Sequence, residues 1–280
     1  MTFTHRGRCS LALLAGLGLI LASGCTSSLD LAGCREAFAT LPIDSHVSRQ
    51  KVPANLQPRI DPQGKATLLM MVQDCARARL DGFLPIEPMR MVHLWIEIVG
   101  PAEVGLALEG TEASLPTQYY FALPHQIDDG LAHAALGGAG ISVKAVKQIE
   151  LGALSDGTRR GEVIEGDDGA KYRWSETVQV WPKAIVLTGR RRFYSRYGTL
   201  FPRSSEGVVV CNSKFLGGGR IDLEADASST LGELARASSL SGESNQVEMS
   251  CRARMRVRFF EHVTADPFAQ DSALAEPSPR

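Results

Sequence analysis

Residues 247–259 read VEMSCRARMRVRF, and apolar and polar side chains alternate along the whole stretch. Because successive side chains of a β-strand point to opposite faces of a sheet, this pattern predicts a strand with one buried and one solvated face. Four arginines share the polar face. We expect acids on a neighbouring strand, such as Asp222 and Glu224, to pair with these arginines, in preference to an anion-binding role.

The same alternation recurs along the chain and predicts the fold class. Further strands are expected over residues 66–74, 91–99, 141–151, 171–181, 183–197, 207–215 and 219–225. Short helices are expected over residues 31–41, 127–136 and 230–238. The predicted fold is therefore mainly β (α+β): an antiparallel sheet closed or nearly closed into a barrel or a sandwich, with a few short helices.

Composition excludes some classes of protein. The 280 residues include 30 Lys+Arg and 31 Asp+Glu, which gives a formal net charge of −1. This balance lacks the basic footprint of a nucleic-acid partner. Hydrophobic residues make up 44% and charged residues 22%, values typical of a globular chain.

The N-terminal residues 1–24 have the composition of a targeting segment. Basic residues precede an uncharged run at 10–22, SLALLAGLGLILA, and about 13 residues are fewer than the ~20 that span a bilayer. The segment at the end of this run, Ala-Ser-Gly-Cys at 22–25, resembles the lipobox of bacterial lipoproteins, although Ala22 stands where Leu is usual. An uncleaved anchor and an ordinary cleaved signal are the alternatives.

The lipobox resemblance implies a place in the cell. Removal of residues 1–24 would leave Cys25 as the acylated N-terminus, held to the membrane through its lipid. Thr26 after it, in place of Asp, implies the outer membrane, on its periplasmic side. The expected partners are this membrane, a small ligand or an envelope protein, and no nucleic acid.

The mature chain is predicted to have three parts. Residues 25–64, with four prolines, are expected to form a tether and an extended N-terminal segment. Residues 65–263 are expected to form a single β-rich domain. Residues 264–280 are expected to be a disordered tail.

Cysteine usage fits an oxidising compartment. Of the six cysteines, Cys9 would be lost with the signal peptide and Cys25 would be acylated. The remaining four permit three connectivities, and we favour two disulfides, Cys34–Cys75 and Cys211–Cys251. No CxxC spacing is present, so no metal site and no cofactor are predicted.

Three charged residues, Lys147, Glu176 and Arg191, interrupt the apolar faces of predicted strands, and the candidate site residues include these three. Lys147 and Glu176 are the catalytic candidates, because a lysine in an apolar pocket can act as an amine nucleophile beside a carboxylate. The candidate ligand-binding residues are Glu97, Trp95, Trp174 and Arg191. A strand bulge or a structural ion pair would account for the same pattern without a function.

One segment resembles a known enzyme family. Over residues 65–176 the order of features is similar to the acetoacetate decarboxylase-like β-barrels, with Trp95-Ile96-Glu97 where the family has Tyr-x-Glu and with Lys144 or Lys147 near its lysine. The Gly-Arg-Glu and Gly-Phe-Pro-Lys signatures of the family are absent. The resemblance implies the barrel fold and, by extension, a Schiff-base lysine inside it.

Three hypotheses for function follow. The leading one is a lipid-anchored periplasmic protein that binds a small apolar or amphipathic ligand, or an envelope partner, without catalysis. The second is a Schiff-base decarboxylase or lyase that uses Lys147 with Glu176. The third is a structural component of an envelope or secretion assembly.

Overall fold

The computed structural model describes residues 26–54, 56–82, 84–86, 89–99, 117–139, 141–166, 168–197, 203–236 and 239–258. The predicted signal peptide (1–24), the predicted acylation site Cys25 and the predicted tail (264–280) lie outside these ranges. Within them, no helix is long and apolar enough to cross a membrane.

The described residues form twelve strands and three short helices. The strands are β1 (Thr26–Asp44), β2 (Lys65–Leu80), β3 (Leu84–Pro85), β4 (Met89–Glu97), β5 (Thr117–Ala122), β6 (His125–Ile127), β7 (Val143–Ala145), β8 (Gln148–Leu151), β9 (Thr158–Ile164), β10 (Lys171–Tyr197), β11 (Arg203–Ala225) and β12 (Ser239–Arg258). The helices are α1 (Ser45–Lys51), α2 (Gly130–Gly138) and α3 (Thr230–Ala235). Each helix begins at a capping side chain, supplied by Asp44, Asp129 and Ser229.

Strand pairing forms a ring. Neighbours run in the order β2-β1-β12-β11-β10-β5-β4, and β4 pairs in turn with β2. Most pairs are antiparallel, whereas β10–β5 and β6–β7 are parallel. The predicted fold class is therefore confirmed as mainly β with a nearly closed sheet and a few short helices, and the sheet is mixed.

The ring separates two apolar cores. The inner core takes residues from every strand of the ring, among them Leu29, Leu69, Met89, Tyr120, Phe193, Cys211 and Val247, and α2 also contributes to it. The outer core lies on the other face of the sheet, under α1, α3 and β9. Its members include Leu41, Leu68, Val92, Phe121, Trp174, Ile221 and Leu231.

The N-terminal part of the chain differs from its prediction. Residues 31–41 form strand and not helix, and β1 lies between β2 and β12 rather than acting as a tether. Along β1 buried positions alternate with half-buried or exposed ones, but the buried face changes from the inner core at Leu29 and Leu31 to the outer core at Ala39 and Leu41, so no single period runs through its sequence. Gly33, with φ 64°, lies at the bulge where the register of β1 against β12 shifts.

Two other strand predictions need correction. The predicted strand 141–151 is broken at Val146 and Lys147 into β7 and β8, which pair with different neighbours. Conversely, 171–181 and 183–197 merge into the single strand β10. The merging is possible because a register irregularity between Val180 and Ile185 accommodates Pro182.

Disulfides join Cys34 to Cys75 and Cys211 to Cys251. Each pair faces across two adjacent strands, β1–β2 and β11–β12. These are the two pairs that the sequence favours, and all four residues belong to the inner core. Each bridge closes a loop of about 40 residues, which the chain-entropy model values at about 3–4 kcal/mol.

Candidate functional site

A cavity of about 40 Å³ lies inside the ring. Residues from six strands of the ring line it, which places it in the inner core and not between separate layers. Its apolar lining includes Leu29, Leu31, Met71, Met91, Ile141 and Val209. Its polar lining consists of Gln73, His93, His125 and Arg191, together with the amphipathic Trp95.

Two buried histidines contact each other in this cavity. Nδ1 of His93 lies 2.9 Å from Nδ1 of His125, and Nε2 of His93 lies 2.8 Å from Oε1 of Gln73. Burial lowers the pKa of His125 to about 4. Burial, and then repulsion from His125 and Arg191, holds the pKa of His93 well below its usual range. Both rings are therefore neutral at pH 7, and each carries one N–H.

The hydrogen bonds fix the tautomer of each ring. The amide oxygen of Gln73 can only accept, so Nε2–H of His93 donates to it and Nδ1 of His93 carries a lone pair. Nδ1–H of His125 must then donate to Nδ1 of His93. This leaves Nε2 of His125 as a bare nitrogen, and it has no hydrogen-bond partner within the described ranges.

The chain of contacts continues to a buried carboxyl group. Nε2 of Gln73 lies 3.4 Å from Oε1 of Glu36, while Oε2 of Glu36 has no partner in the part of the chain that the structure describes. Glu36 is fully buried. Burial raises the pKa of Glu36 to about 7, although Arg191, the bond from Gln73 and Arg159 act in the opposite direction. The carboxyl group thus titrates near neutral pH.

Arg191 is the cation of the cavity, and it lacks an acidic partner. Its guanidinium lies 3.7 Å from Sδ of Met71 and 5.1 Å from the centre of the Phe38 ring. No carboxylate of a described residue lies within ion-pair distance of it. Since a thioether accepts weakly, a half-buried guanidinium in this setting can still accept an anion.

An aromatic cluster forms one wall. Trp95 stacks on Phe193 with ring centres 5.4 Å apart, and the edge of His93 meets the same indole at 5.5 Å. The indole Nε1–H of Trp95 is buried without an acceptor among the described residues. The wall is therefore rigid and carries an unused hydrogen-bond donor.

Glu176 lies in a different place from the one predicted for it. It is on the outer face of the sheet, where Arg159 donates to its Oε1 from Nη2 at 2.6 Å and from Nε at 3.0 Å. Ser244 donates to its other oxygen at 3.1 Å. Glu176 is thus one half of a buried structural ion pair, the alternative explanation for this charge.

The predicted inward position of Lys147 is wrong. Lys147 is exposed, because the break between β7 and β8 interrupts the alternation that placed it inside. Lys144 binds Oε2 of Glu165 and Oγ1 of Thr230, each at 2.9 Å. All seven lysines of the sequence lie within the described ranges, and none lines the inner cavity.

The ligand-binding candidates divide evenly. Trp95 and Arg191 line the cavity. Glu97 is paired with Arg59 at 2.8 Å near the surface, and Trp174 packs in the outer core. The structure thus brings two of these four residues into one site.

Four residues of the site are not among the predicted site residues: Glu36, Gln73, His93 and His125. Glu36 fell in the segment predicted as a helix. Gln73 ends an apolar run and His125 stands in a three-residue strand, so neither carries a periodic signal. Across the described ranges, no group of three or more His, Cys, Asp or Glu is arranged to hold a metal ion.

Comparison with known proteins supports the fold. No protein-family model matches the chain, and no curated protein is detectably similar to it. The acetoacetate decarboxylase of Legionella pneumophila subsp. pneumophila str. Philadelphia 1 has a similar structure, with a TM-score of 0.58 at 10% identity over 93% of this chain and 99% of that chain. A second acetoacetate decarboxylase structure gives a TM-score of 0.55 at 10% identity over 85% and 91%.

The chain therefore has the fold of the acetoacetate decarboxylases, as the resemblance over residues 65–176 predicts. Identity of 10% establishes the fold alone. Function has to be argued from the side chains of the cavity.

Proposed function

We propose that the inner cavity is the active site of an enzyme that removes a proton next to the carbonyl group of a small molecule, with Nε2 of His125 as the base. The observation that carries this proposal is that, among the described residues, Nε2 of the neutral, buried His125 has no hydrogen-bond partner and shares its cavity with a guanidinium, that of Arg191, that has no ion pair. A base needs a free lone pair at working pH, and the hydrogen bond from His125 to His93 fixes which nitrogen has it.

The chemistry balances without an oxidant or a reductant. The lone pair of Nε2 takes a proton from the carbon beside the carbonyl, and the C–H electron pair becomes a C–C π bond. The carbonyl π pair moves to oxygen, which gives an enolate. The proton then returns from His125 to carbon or to oxygen, so that the net reaction is exchange or tautomerisation.

Other residues of the cavity suit the enolate. The indole Nε1–H of Trp95 is a donor without an acceptor in the described part of the chain, and Arg191 supplies positive charge. Donors and charge that are already in place stabilise a developing oxyanion more than solvent does. The fold likeness also supports carbonyl chemistry, since loss of CO₂ from acetoacetate leaves a carbanion beside a carbonyl group.

The proposed mechanism uses the imidazole of His125 as a base, whereas the Schiff-base hypothesis uses a lysine amine as a nucleophile. A Schiff base needs an amine in the cavity, and Lys147 and Lys144 are both directed elsewhere. We therefore expect treatment with pyruvate and borohydride to leave the chain unlabelled. A lysine adduct would support the Schiff-base mechanism and contradict ours.

Proton exchange tests the proposal directly. Pyruvate and acetone in D₂O are followed by proton NMR, which reports loss of the methyl signal. We expect exchange above the uncatalysed rate, and a decrease of roughly 100-fold or more in the variant His125→Asn. Lys147→Met is the matched control and should exchange like the natural chain. Exchange that survives in His125→Asn would contradict the role of this imidazole.

Binding without catalysis is the second candidate function. The mostly apolar lining of the cavity favours it, because such a lining suits a small apolar or amphipathic ligand. A molecule that binds in the cavity while neither pyruvate nor acetone exchanges would favour this reading. Retention of an envelope protein by the whole chain after crosslinking would favour the assembly hypothesis.

We propose in addition that Cys25 is acylated and that the protein is held at the outer membrane on the periplasmic side. The sequence at 22–25 supports this, and Cys25 lies outside the described residues. Labelling with palmitate in a Gram-negative host should mark the natural chain and not Cys25→Ser. Equal labelling of the two would contradict the proposal.

A further inference from the structure

The inner wall of the ring brings together two groups of opposite charge that do not pair. Among the described residues, Arg191 donates a hydrogen bond to the sulfur atom of Met71 and lies over the ring of Phe38 without an ion pair, and Glu36 has one oxygen without any partner. The two are near each other, because Arg191 stacks on Phe38, which lies two residues from Glu36 on the same face of β1.

Buried groups left in this state are costly. An unpaired carboxyl oxygen loses its hydration when it is buried, and the cost is met only when a partner or a proton arrives. A small ligand with its own carboxylate could supply both needs. It would pair with the guanidinium of Arg191, and Glu36, which contacts Gln73 of the cavity lining, would take up a proton because the positive charge that stabilises its carboxylate is neutralised.

We propose that the inner cavity takes up a small monocarboxylate together with one proton, the anion pairing with Arg191 and the proton residing on Glu36. This inference names the ligand class of the site put forward above, and it rests on the location of that site but not on its catalysis. A cavity of about 40 Å³ has room for only a handful of non-hydrogen atoms, which matches a short acid.

The surrounding charges support the coupling. Arg191 on β10 and Arg159 on β9 are the cations that act on Glu36, and Gln73 on β2 and His93 on β4 are neutral. Once a ligand anion occupies Arg191, that guanidinium stabilises the Glu36 carboxylate less. The pKa of Glu36, about 7 in the empty site, then rises further.

The sign of the pH dependence follows from this coupling. Below about pH 7 Glu36 already holds its proton, so the affinity for the anion is constant. Above that pH a proton must be taken up with each anion, and the affinity decreases by up to tenfold per pH unit. His93 and His125 stay neutral over this window, because their pKa values lie at about 4 or are depressed from the ordinary value.

Acetate and acetamide are the probes, since they have nearly the same shape and differ in charge. NMR titrations at constant ionic strength from pH 5.5 to 9 give the affinities. We expect acetate to bind, with constant affinity up to about pH 7 and weaker affinity above it, and acetamide to bind at least tenfold more weakly. Arg191→Met should weaken acetate binding roughly tenfold or more at pH 6.5.

The variant Glu36→Gln separates a proton site from a merely structural residue. Gln imitates the protonated carboxyl group, so this variant should bind acetate with the same affinity at every pH and more tightly than the natural chain at pH 8.5. A structural role predicts weaker binding instead. Calorimetry of the natural chain in phosphate and in Tris at pH 7.5 should also show net proton uptake.

Equal binding of acetate and acetamide would overturn the inference, as would pH-independent acetate binding by the natural chain. These outcomes are distinct from a failure of the proposed enzyme. Acetate binding with proton uptake but no exchange of pyruvate or acetone would leave the inference standing and remove the catalytic proposal. Exchange of acetone with no binding of acetate would do the reverse.

Discussion

Arg159 and Arg191 lie on opposite faces of the same sheet, and their surroundings differ. Arg159 is 5% exposed and makes two hydrogen bonds to Glu176, which is itself fully buried. Arg191 lines a cavity with a sulfur atom and an aromatic ring as its contacts. The outer core thus encloses an ion pair in which both charges are hydrogen-bonded, whereas the inner core contains charged groups that are incompletely paired.

This difference separates a structural role from a functional one. In a buried ion pair that is fully hydrogen-bonded, every charge already has its partner within the protein, and loss of one partner lowers stability. Buried polar groups without a hydrogen-bond or ion-pair partner destabilise the empty protein, and a bound ligand can supply the missing partner. The inner core has four such groups among its described residues: Arg191, Glu36, the indole of Trp95 and Nε2 of His125.

The largest predicted effect concerns the outer face. Arg159→Met leaves the Glu176 carboxylate buried without its cation, with only the hydrogen bond from Ser244 remaining among the described residues, and should lower the free energy of unfolding by about 3–5 kcal/mol. Arg191→Met should change it by less than about 1 kcal/mol, because no ion pair is lost. Urea denaturation at pH 7 measures both. Equal losses of unfolding free energy in the two variants would contradict the distinction between a structural Arg159 and a functional Arg191.

Fold class could be predicted from the sequence because β10, β11 and β12 each have one alternating face. β1 could not, since a bulge at Gly33 and a change of its buried face from the inner to the outer core interrupt the two-residue period. The site was only half predicted for a related reason. Trp95 and Arg191 continue strand patterns, whereas the position of Lys147 depended on a strand that the structure breaks.

A second prediction concerns Glu36. Its pKa is raised by burial from 4.5 to about 7, so ionising it costs the folded state about 3 kcal/mol that the unfolded state does not incur. The contribution of protonated Glu36 to the free energy of unfolding is therefore fully present below pH 4.5 and is lost as the pH rises through 7. Glu36→Gln should therefore be more stable than the natural chain by up to about 3 kcal/mol at pH 8 and by little at pH 4.5.

Urea denaturation at the two pH values measures this difference, and Glu176→Gln is the matched control on the outer face. That variant loses a charge-assisted partner of Arg159 and should be less stable than the natural chain at pH 8. A stability gain from Glu36→Gln that is the same at both pH values would contradict the titration of Glu36.

The third prediction has the opposite sign. The pKa of His125 is lowered by burial from 6.5 to about 4, so its contribution to stability is present above pH 6.5 and is lost as the pH falls through 4. The stability difference between the natural chain and His125→Asn should shrink by about 3 kcal/mol between pH 7 and pH 4. A constant difference would mean that His125 is not buried as a neutral ring.

The most direct test of the account is the ¹⁵N NMR spectrum of the imidazole rings in the natural chain at pH 7. We expect neutral rings, with the proton of His93 on Nε2 and that of His125 on Nδ1. Added acetate should shift the bare Nε2 of His125, and added acetamide should not. A cationic His125, the opposite tautomer, or a spectrum indifferent to acetate would contradict the central claim that this cavity is a functional site.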